Sequence, residues 1–158
     1  MPTRFAVNGL DHAPIGTVTS LGTGNNTNET TLWTYSLAAN TLDTNTKAVR
    51  ITAWGTTAAN ANNKTVKLYF GSTVVANRGT HTFGTGGSWH YTAIVSRTGA
   101  ATQVAVGSSV YNGATVGVDT TTPTESLAGA VTIKVTGQNG TSSANDSVLV
   151  GALVECVA

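Results

Sequence analysis

Seven carboxylates and three histidines are the side chains of this sequence that could carry acid–base or metal chemistry. The acids are scattered, with no close pair inside a predicted strand, whereas glycoside hydrolysis needs two carboxyl groups facing one sugar. The histidines His12, His81 and His90 show no metal-ligand spacing. The sequence therefore predicts no catalytic, cofactor or metal site. It leaves open a long-range site built from His81, His90 and a carboxylate, and a metal held on a trimer axis by one histidine per subunit.

A glycine-rich stretch and the single cysteine could also suggest a functional site, but neither fits one. The glycine-rich stretch 84–87 lacks a following Lys-Ser/Thr and a following helix, so it is not a nucleotide-binding loop. Cys156, the single cysteine, lies near the end of an apolar strand and is interpreted as a small core residue rather than a nucleophile. With one cysteine no intrachain disulfide can form. We therefore expect that the chain is not an enzyme.

If the chain is not an enzyme, its tryptophans could form a ligand-binding surface. Trp33 and Trp89 each share a face with core-pattern residues, and we interpret both as core. Trp54 shares its face with Arg50 and Thr52, so it is predicted to be the exposed or interfacial aromatic. An exposed indole can stack on a sugar ring, which keeps glycan binding open as a second function.

Composition describes the surface that must display these residues. Thr, Ser, Asn and Gly make up 72 of 158 residues, and only 9% are charged, with a formal net charge of +1. This balance argues against partners that are bound through charge, namely nucleic acid and an anionic membrane. The charge-poor composition is typical of a protein that works outside a cell, yet the first residues contain no apolar run typical of a secretory signal. A virion protein that is made in a host cytoplasm without a signal peptide and released by lysis would reconcile the two.

The elements that position these residues are predicted to be short strands. Apolar and polar residues alternate over short runs separated by Gly/Asn turns, and no segment shows a helical period. The sequence predicts an all-β, antiparallel β-sandwich of jelly-roll type with eight or nine strands. The strands are placed at 15–21, 32–39, 48–54, 65–70, 73–76, 88–96, 103–111, 130–136 and 147–157, with 57–63 and 120–124 as loops.

The chain is predicted to divide into an arm and one domain. Residues 1–14 contain turn signals but no hydrophobic period and form an extended N-terminal arm, whereas 15–158 form the single β-sandwich domain. The apolar side chains of the arm have no evident internal partner. Arg4, Phe5, Val7 and Leu10 are therefore candidates for contact with another protein.

The last strand is apolar on both faces, which requires cover on both sides. Strict alternation places Val148, Val150, Ala152, Val154 and Cys156 on one face and Leu149, Leu153 and Val157 on the other. Either a loop of the same chain or a neighbouring subunit can cover the second face. We assign Leu149, Leu153 and Val157 to a candidate subunit interface and expect a homotrimer.

Three segments resemble small structural proteins of tailed bacteriophages: LWTYSL (32–37), VRITAWG (49–55) and KTVKLYFG (64–71). The resemblance spans 15–158 and implies a trimeric jelly-roll domain of the kind that decorates capsids as a cement protein or head fibre, or forms the knob of a tail fibre. It implies a structural role without catalysis and transfers no functional residue.

These observations favour a capsid decoration protein that binds the major capsid protein of the same virion and stabilises the head shell as a trimer on the capsid surface. The alternative is a tail-fibre or head-fibre knob that binds a host receptor or a host-surface glycan. An enzyme, such as a small hydrolase, is the third hypothesis. Cofactors, nucleic acid and membranes are not expected as partners.

Overall fold

The computed structural model describes residues 6–7, 10–11, 21–112 and 114–157 of the chain. Every regular element in this part is a β-strand, and no helix in it is long and apolar enough to cross a membrane. The strands are β1 (Ala6–Val7), β2 (Leu10–Asp11), β3 (Leu21–Gly22), β4 (Thr30–Leu37), β5 (Ala48–Thr57), β6 (Asn60–Phe70), β7 (Thr73–Asn77), β8 (His81–Phe83), β9 (Gly87–Gly99), β10 (Thr102–Tyr111), β11 (Ala114–Thr121), β12 (Val131–Asn139) and β13 (Ser147–Val157).

Two antiparallel sheets pack face to face. The six-stranded sheet has the order β11-β10-β9-β5-β13-β3, and the five-stranded sheet has the order β4-β12-β6-β7 with β8 paired to β6. The predicted antiparallel β-sandwich is confirmed. The predicted number of eight or nine strands is too low, because the described part of the two sheets holds eleven.

The strand order also shows the predicted jelly-roll path. The chain crosses between the sheets from β4 to β5 and on to β6, and later from β11 to β12 and on to β13. These crossings give the four-stranded halves β3-β13-β5-β9 and β4-β12-β6-β7, the interleaved arrangement of a jelly roll. Strands β10 and β11 widen the first sheet beyond β9.

The core lies between the sheets and follows the alternation predicted for the central strands. Val49, Ile51 and Ala53 of β5 are fully buried, as are Leu68 of β6 and Ile133 of β12. Trp89, Tyr91, Ala93 and Val95 of β9 are likewise buried, which confirms Trp89 as a core residue. Period-two alternation thus placed these side chains correctly.

Two predicted loops are wrong in part. Residues 57–63 were expected to be a loop, but β5 runs to Thr57 and β6 begins at Asn60, so the two strands form a hairpin. Residues 120–121 belong to β11, an edge strand that the sequence pattern did not predict. Val118 of β11 is 66% exposed, so this strand buries too little apolar surface to show a clear hydrophobic period.

Strand β13 departs from strict alternation. A bulge between Leu149 and Gly151 inserts one extra residue opposite β5. Leu149 is therefore fully buried in the core, while Val150 turns outward and is 44% exposed. The prediction that Leu149 shares a face with Leu153 and Val157 is wrong. The bulge reverses the alternation, so that odd-numbered side chains face the core before it and face outward after it.

Most of the predicted arm lies outside the described residues, including Arg4 and Phe5, and so does most of the predicted strand 15–21. Strands β1 and β2 pair antiparallel, with Ala6 opposite Asp11 and Val7 opposite Leu10. The division at residue 14 therefore stays a prediction.

Candidate functional site

The outer face of the six-stranded sheet carries the most exposed apolar surface of the described chain. Its residues alternate with the buried core positions and align in rows across β10, β9, β5 and β13. Val106 lies opposite Ile94, Trp54 opposite His90, and Thr52 opposite Leu153. We call this surface, with Val104, Val110, Thr92, Arg50, Glu155 and Val118, the outer sheet face.

Large apolar side chains on this face are unusually accessible. Val106 is 49% exposed, Ile94 39% and Val104 38%. Short, uncharged hydroxyl side chains lie next to them, with Ser96 opposite Val104 and Thr92 opposite Ser108. Val106 and Ile94 are direct cross-strand neighbours, so these exposed apolar side chains form a cluster, and such a cluster is a candidate binding surface.

Charge is nearly absent from the outer sheet face. Among its described residues, Arg50 and Glu155 are the only basic and acidic side chains apart from His90, and they lie on adjacent strands. The Arg50 guanidinium and the Glu155 carboxylate are 3.7 Å apart and both half-exposed. The face therefore presents no net field to an approaching partner, and little charge would need to be desolvated on binding.

Trp54 lies at one end of this face, where a shallow groove of about 390 Å³ opens. The groove is lined by Trp54, Gly55, Ser88, Trp89, His90, Val110 and Asn112. The prediction that Trp54 faces outward with Arg50 and Thr52 is confirmed by the register of β5. Its indole is half-buried, since part of it lies against β13.

The floor of the groove is held by backbone and side-chain hydrogen bonds. The backbone N–H of Ser88 donates to Asn112 Oδ1 at 2.9 Å, and the backbone N–H of Asn112 donates to the Ser88 carbonyl at 3.0 Å. Trp89 Nε1 donates to the Thr56 carbonyl at 3.2 Å, which anchors the buried indole beneath the groove. A groove lined by an aromatic ring and a carboxamide combines the apolar and polar groups found in sites for small neutral ligands.

Trp33 lies elsewhere, on edge strand β4. Its ring stacks on Tyr35 with centroids 6.3 Å apart and an interplanar angle of 12°. Both are half-buried and pack against the core, together with Cys156 of β13. Trp33 packs against the core, as predicted, although its ring is only half-buried. Burial raises the pKa of the Cys156 thiol, which disfavours the nucleophilic thiolate.

Five described carboxylates besides Glu155 have structural partners. Glu29 accepts hydrogen bonds from Lys67, Tyr69 and Thr136, and Asp146 accepts from Asn60 and Asn62. Asp43 pairs with Lys47, Asp119 accepts from the Asn77 amide, and Glu125 accepts from Ser72. In the part of the chain that the structure describes, no group of three His, Cys, Asp or Glu side chains could hold a metal ion.

The predicted interface residues of β13 divide between two environments. Leu149 is enclosed in the core, whereas Leu153 and Val157 are half-buried. Leu153 pairs with Thr52 and so lies on the outer sheet face. The sequence pattern identified Trp54 and Leu153 on this face but missed Val106 and Ile94, whose exposed positions on β10 and β9 looked like ordinary strand alternation.

Comparison with known proteins assigns no family to this chain. No family model matches the chain, and no curated protein matches it. Among solved structures the chain is similar to the CBM2 module of the evolved Dit of Lactobacillus casei BL23 phage J-1, with 9% identity, a TM-score of 0.37, and 98% of this chain and 79% of that chain covered. A likeness at this level assigns neither a family nor a function to this chain.

Proposed function

We propose that this chain is a non-enzymatic virion structural protein, a capsid decoration protein that stabilises a phage head shell as a homotrimer. The observation that supports the proposal best is the outer sheet face, which is apolar, hydroxyl-rich and almost without charge. Interfaces are depleted of charged residues at their centres and enriched in tryptophan. The phage assignment itself rests on the resemblance of the segments at 32–37, 49–55 and 64–71.

The occupant of the outer sheet face is, in this proposal, a second copy of the chain. A nearly uncharged face can approach its neighbours around a threefold axis without repulsion, and in a trimer each copy contacts two others. Leu153, predicted to lie at the subunit interface, is part of this face, and Val157 continues along the same strand. Burying Val106 and Ile94 against a neighbour removes from water the most exposed apolar side chains of β10 and β9.

Attachment to the shell is assigned to the arm. Residues 1–14, with Arg4, Phe5, Val7 and Leu10, would add to an exposed strand edge of the major capsid protein and seat their apolar side chains in pockets. One arm binds weakly, because ordering it costs about 1–2 kcal/mol per residue in backbone entropy. Three arms on a trimer engage together, which raises avidity by about 10²–10⁴.

Co-sedimentation with capsids that lack the protein tests this assignment. The full chain is expected to sediment with the shells, and a variant without residues 1–14 is expected to remain in the supernatant while keeping its circular dichroism spectrum. Equal binding of both forms would place attachment in the β-sandwich. If neither form binds, the decoration function is wrong and the fibre-knob alternative is favoured.

A second function, glycan binding by a fibre knob, is favoured by one observation. The groove beside Trp54 combines a half-buried indole with the carboxamide of Asn112, which suits stacking on and hydrogen bonding to one neutral sugar ring. A glycan array probed with the isolated protein tests it. Binding that is lost in Trp54→Ala and kept in Ile94→Ala would support this function over decoration, and an array without signal would remove it.

A further inference from the structure

Lys64 is a lysine almost wholly removed from solvent. It is 1% exposed, although the sequence places it between the predicted loop 57–63 and the predicted strand 65–70. Its ammonium donates to Asn60 Oδ1 at 2.6 Å and to the Asn62 carbonyl at 2.8 Å. The Asn60 carbonyl accepts a longer hydrogen bond of 3.4 Å. Burial lowers the pKa of Lys64, and the nearby Asp146 partly opposes that shift.

Asp146 completes the cluster from the loop that precedes β13. It is fully buried, and its two oxygens accept hydrogen bonds from Asn60 Nδ2 at 2.6 Å and from Asn62 Nδ2 at 2.9 Å. The Asn60 carboxamide is therefore held between an amine on its oxygen side and a carboxylate on its nitrogen side. An amine, an amide and a carboxylate in this order are the groups needed for an exchange of one amide for another.

We propose that Lys64 and Asn60 are a self-modification site that forms an intramolecular isopeptide bond, with Asp146 as the proton carrier. The bond joins Nζ of Lys64 to Cγ of Asn60. The modification is independent of the proposed function, because it needs no partner and no other copy of the chain.

The reaction balances without a cofactor or an oxidant. Lys64 reacts as the neutral amine, after its ammonium has released a proton to solvent, and this amine attacks Cγ of Asn60. In the tetrahedral intermediate the attacking nitrogen and Nδ2 are bonded to the same carbon. One proton of the attacking nitrogen then passes through the Asp146 carboxylate to Nδ2, to which Asp146 is already hydrogen bonded, and the Cγ–Nδ2 bond breaks. The lysine amine and the asparagine amide thus become a secondary amide and ammonia, and the chain loses the positive charge of Lys64.

Two features of the site favour this exchange. Nζ of Lys64 is held 2.6 Å from Oδ1 of Asn60, next to the carbon that it would attack, and holding two groups together lowers the entropic part of the barrier to their reaction. Lys64 and Asp146 are both buried, which limits the access of water to the amine and the carboxylate, whereas Asn60 is half-buried. A register shift between Asn60 and Asn63 in the pairing of β6 with β8 accompanies this arrangement.

Mass spectrometry of the purified full-length chain after trypsin digestion tests the proposal. Trypsin cleaves after Lys64 in an unmodified chain and gives the peptides 51–64 and 65–67. The isopeptide bond acylates Lys64, blocks this cleavage, and is expected to give the peptide 51–67 with a mass lower by one ammonia. Recovery of 51–64 at its full mass, with no 51–67 species, would overturn the proposal.

Variants separate this bond from other losses of ammonia. Lys64→Arg keeps the positive charge but removes the amine, and it is expected to abolish the loss of ammonia. Asn60→Ala is expected to do the same. Lys67→Arg, on the exposed side of β6, is the control and is expected to keep the loss of ammonia. A succinimide at Asn60 would give the same mass, but it would leave Lys64 cleavable and would persist in Lys64→Arg. That pattern would also overturn the proposal.

Discussion

The indole of Trp54 lies against the backbone of Gly151, across the bulge of β13. A Cβ atom at Gly151 would come within 2.7 Å of Trp54 Cε2 and 2.9 Å of Cη2, closer than atoms of two side chains pack. Glycine at this position therefore lets the ring lie flat on the neighbouring strand. The relationship fixes one wall of the groove at the end of the outer sheet face.

Gly151→Ala is accordingly expected to push the Trp54 ring outward. Overpacking of this type costs about 1–3 kcal/mol in the free energy of unfolding. Acrylamide should quench the tryptophan fluorescence more strongly than in the parent chain, and the increase should vanish when Trp54→Phe is added. Gly84→Ala is the matched control, because no atom lies within 4 Å of its Cβ position. Equal quenching in parent and variant would contradict the packing of Trp54 on Gly151.

Ile133→Ala and Leu68→Ala are each expected to lower the free energy of unfolding by about 2–5 kcal/mol. Both side chains are fully buried between the two sheets, so truncation leaves a cavity. Denaturant midpoints measure the loss. Thr132→Ala, one residue away on the exposed side of β12, should change the midpoint little. An unchanged midpoint in both core variants would mean that the strand faces are assigned wrongly.

Glu29 predicts an acid-dependent step in stability. Burial acts to raise the pKa of its carboxyl, but hydrogen bonds from Lys67, Thr136 and Tyr69, with the charge of Lys67, outweigh it and lower that pKa from 4.5 to about 2. A carboxyl with a lowered folded-state pKa stabilises the fold above its unfolded pKa, and this contribution is lost as the pH falls from about 4.5 towards 2.

Unfolding of Glu29→Gln between pH 7 and pH 2 measures that step. The variant should be less stable than the parent at neutral pH, and the difference should shrink below pH 4.5. Glu155→Gln is the control, since its half-exposed pair with Arg50 is expected to contribute little. A difference between Glu29→Gln and the parent that stays constant over the whole range would rule out this assignment.

The strands that bury one clear face could be predicted from the sequence. Val49, Ile51 and Ala53 on β5 recur with a period of two, and the structure buries all three. The bulge in β13 could not be predicted, because Leu149 and Val150 are both apolar and alternation alone cannot show where the extra residue lies. The error moved one residue of the candidate interface into the core.

The cluster of Lys64, Asn60, Asn62 and Asp146 could not be predicted from the sequence pattern either. Asn60, Asn62 and Asn63, followed by Lys64, have the polar composition of a turn that is exposed to solvent. The burial of Lys64 and Asn60 depends on Asp146, which is 86 residues from Asn60 along the chain and reaches it only through the sandwich topology. The outer sheet face, by contrast, was partly predictable, since the neighbours of Trp54 on β5 are polar.

Sedimentation velocity tests the central claim, that the outer sheet face associates with further copies of the chain. At micromolar concentration the parent is expected to sediment as a trimer, and Val106→Glu, which buries a charge in the contact, as a monomer with an unchanged circular dichroism spectrum. Thr132→Glu, on the exposed side of the five-stranded sheet, should remain trimeric. A parent chain that sediments as a monomer, or a Val106→Glu variant that stays trimeric, would contradict the assignment of this face.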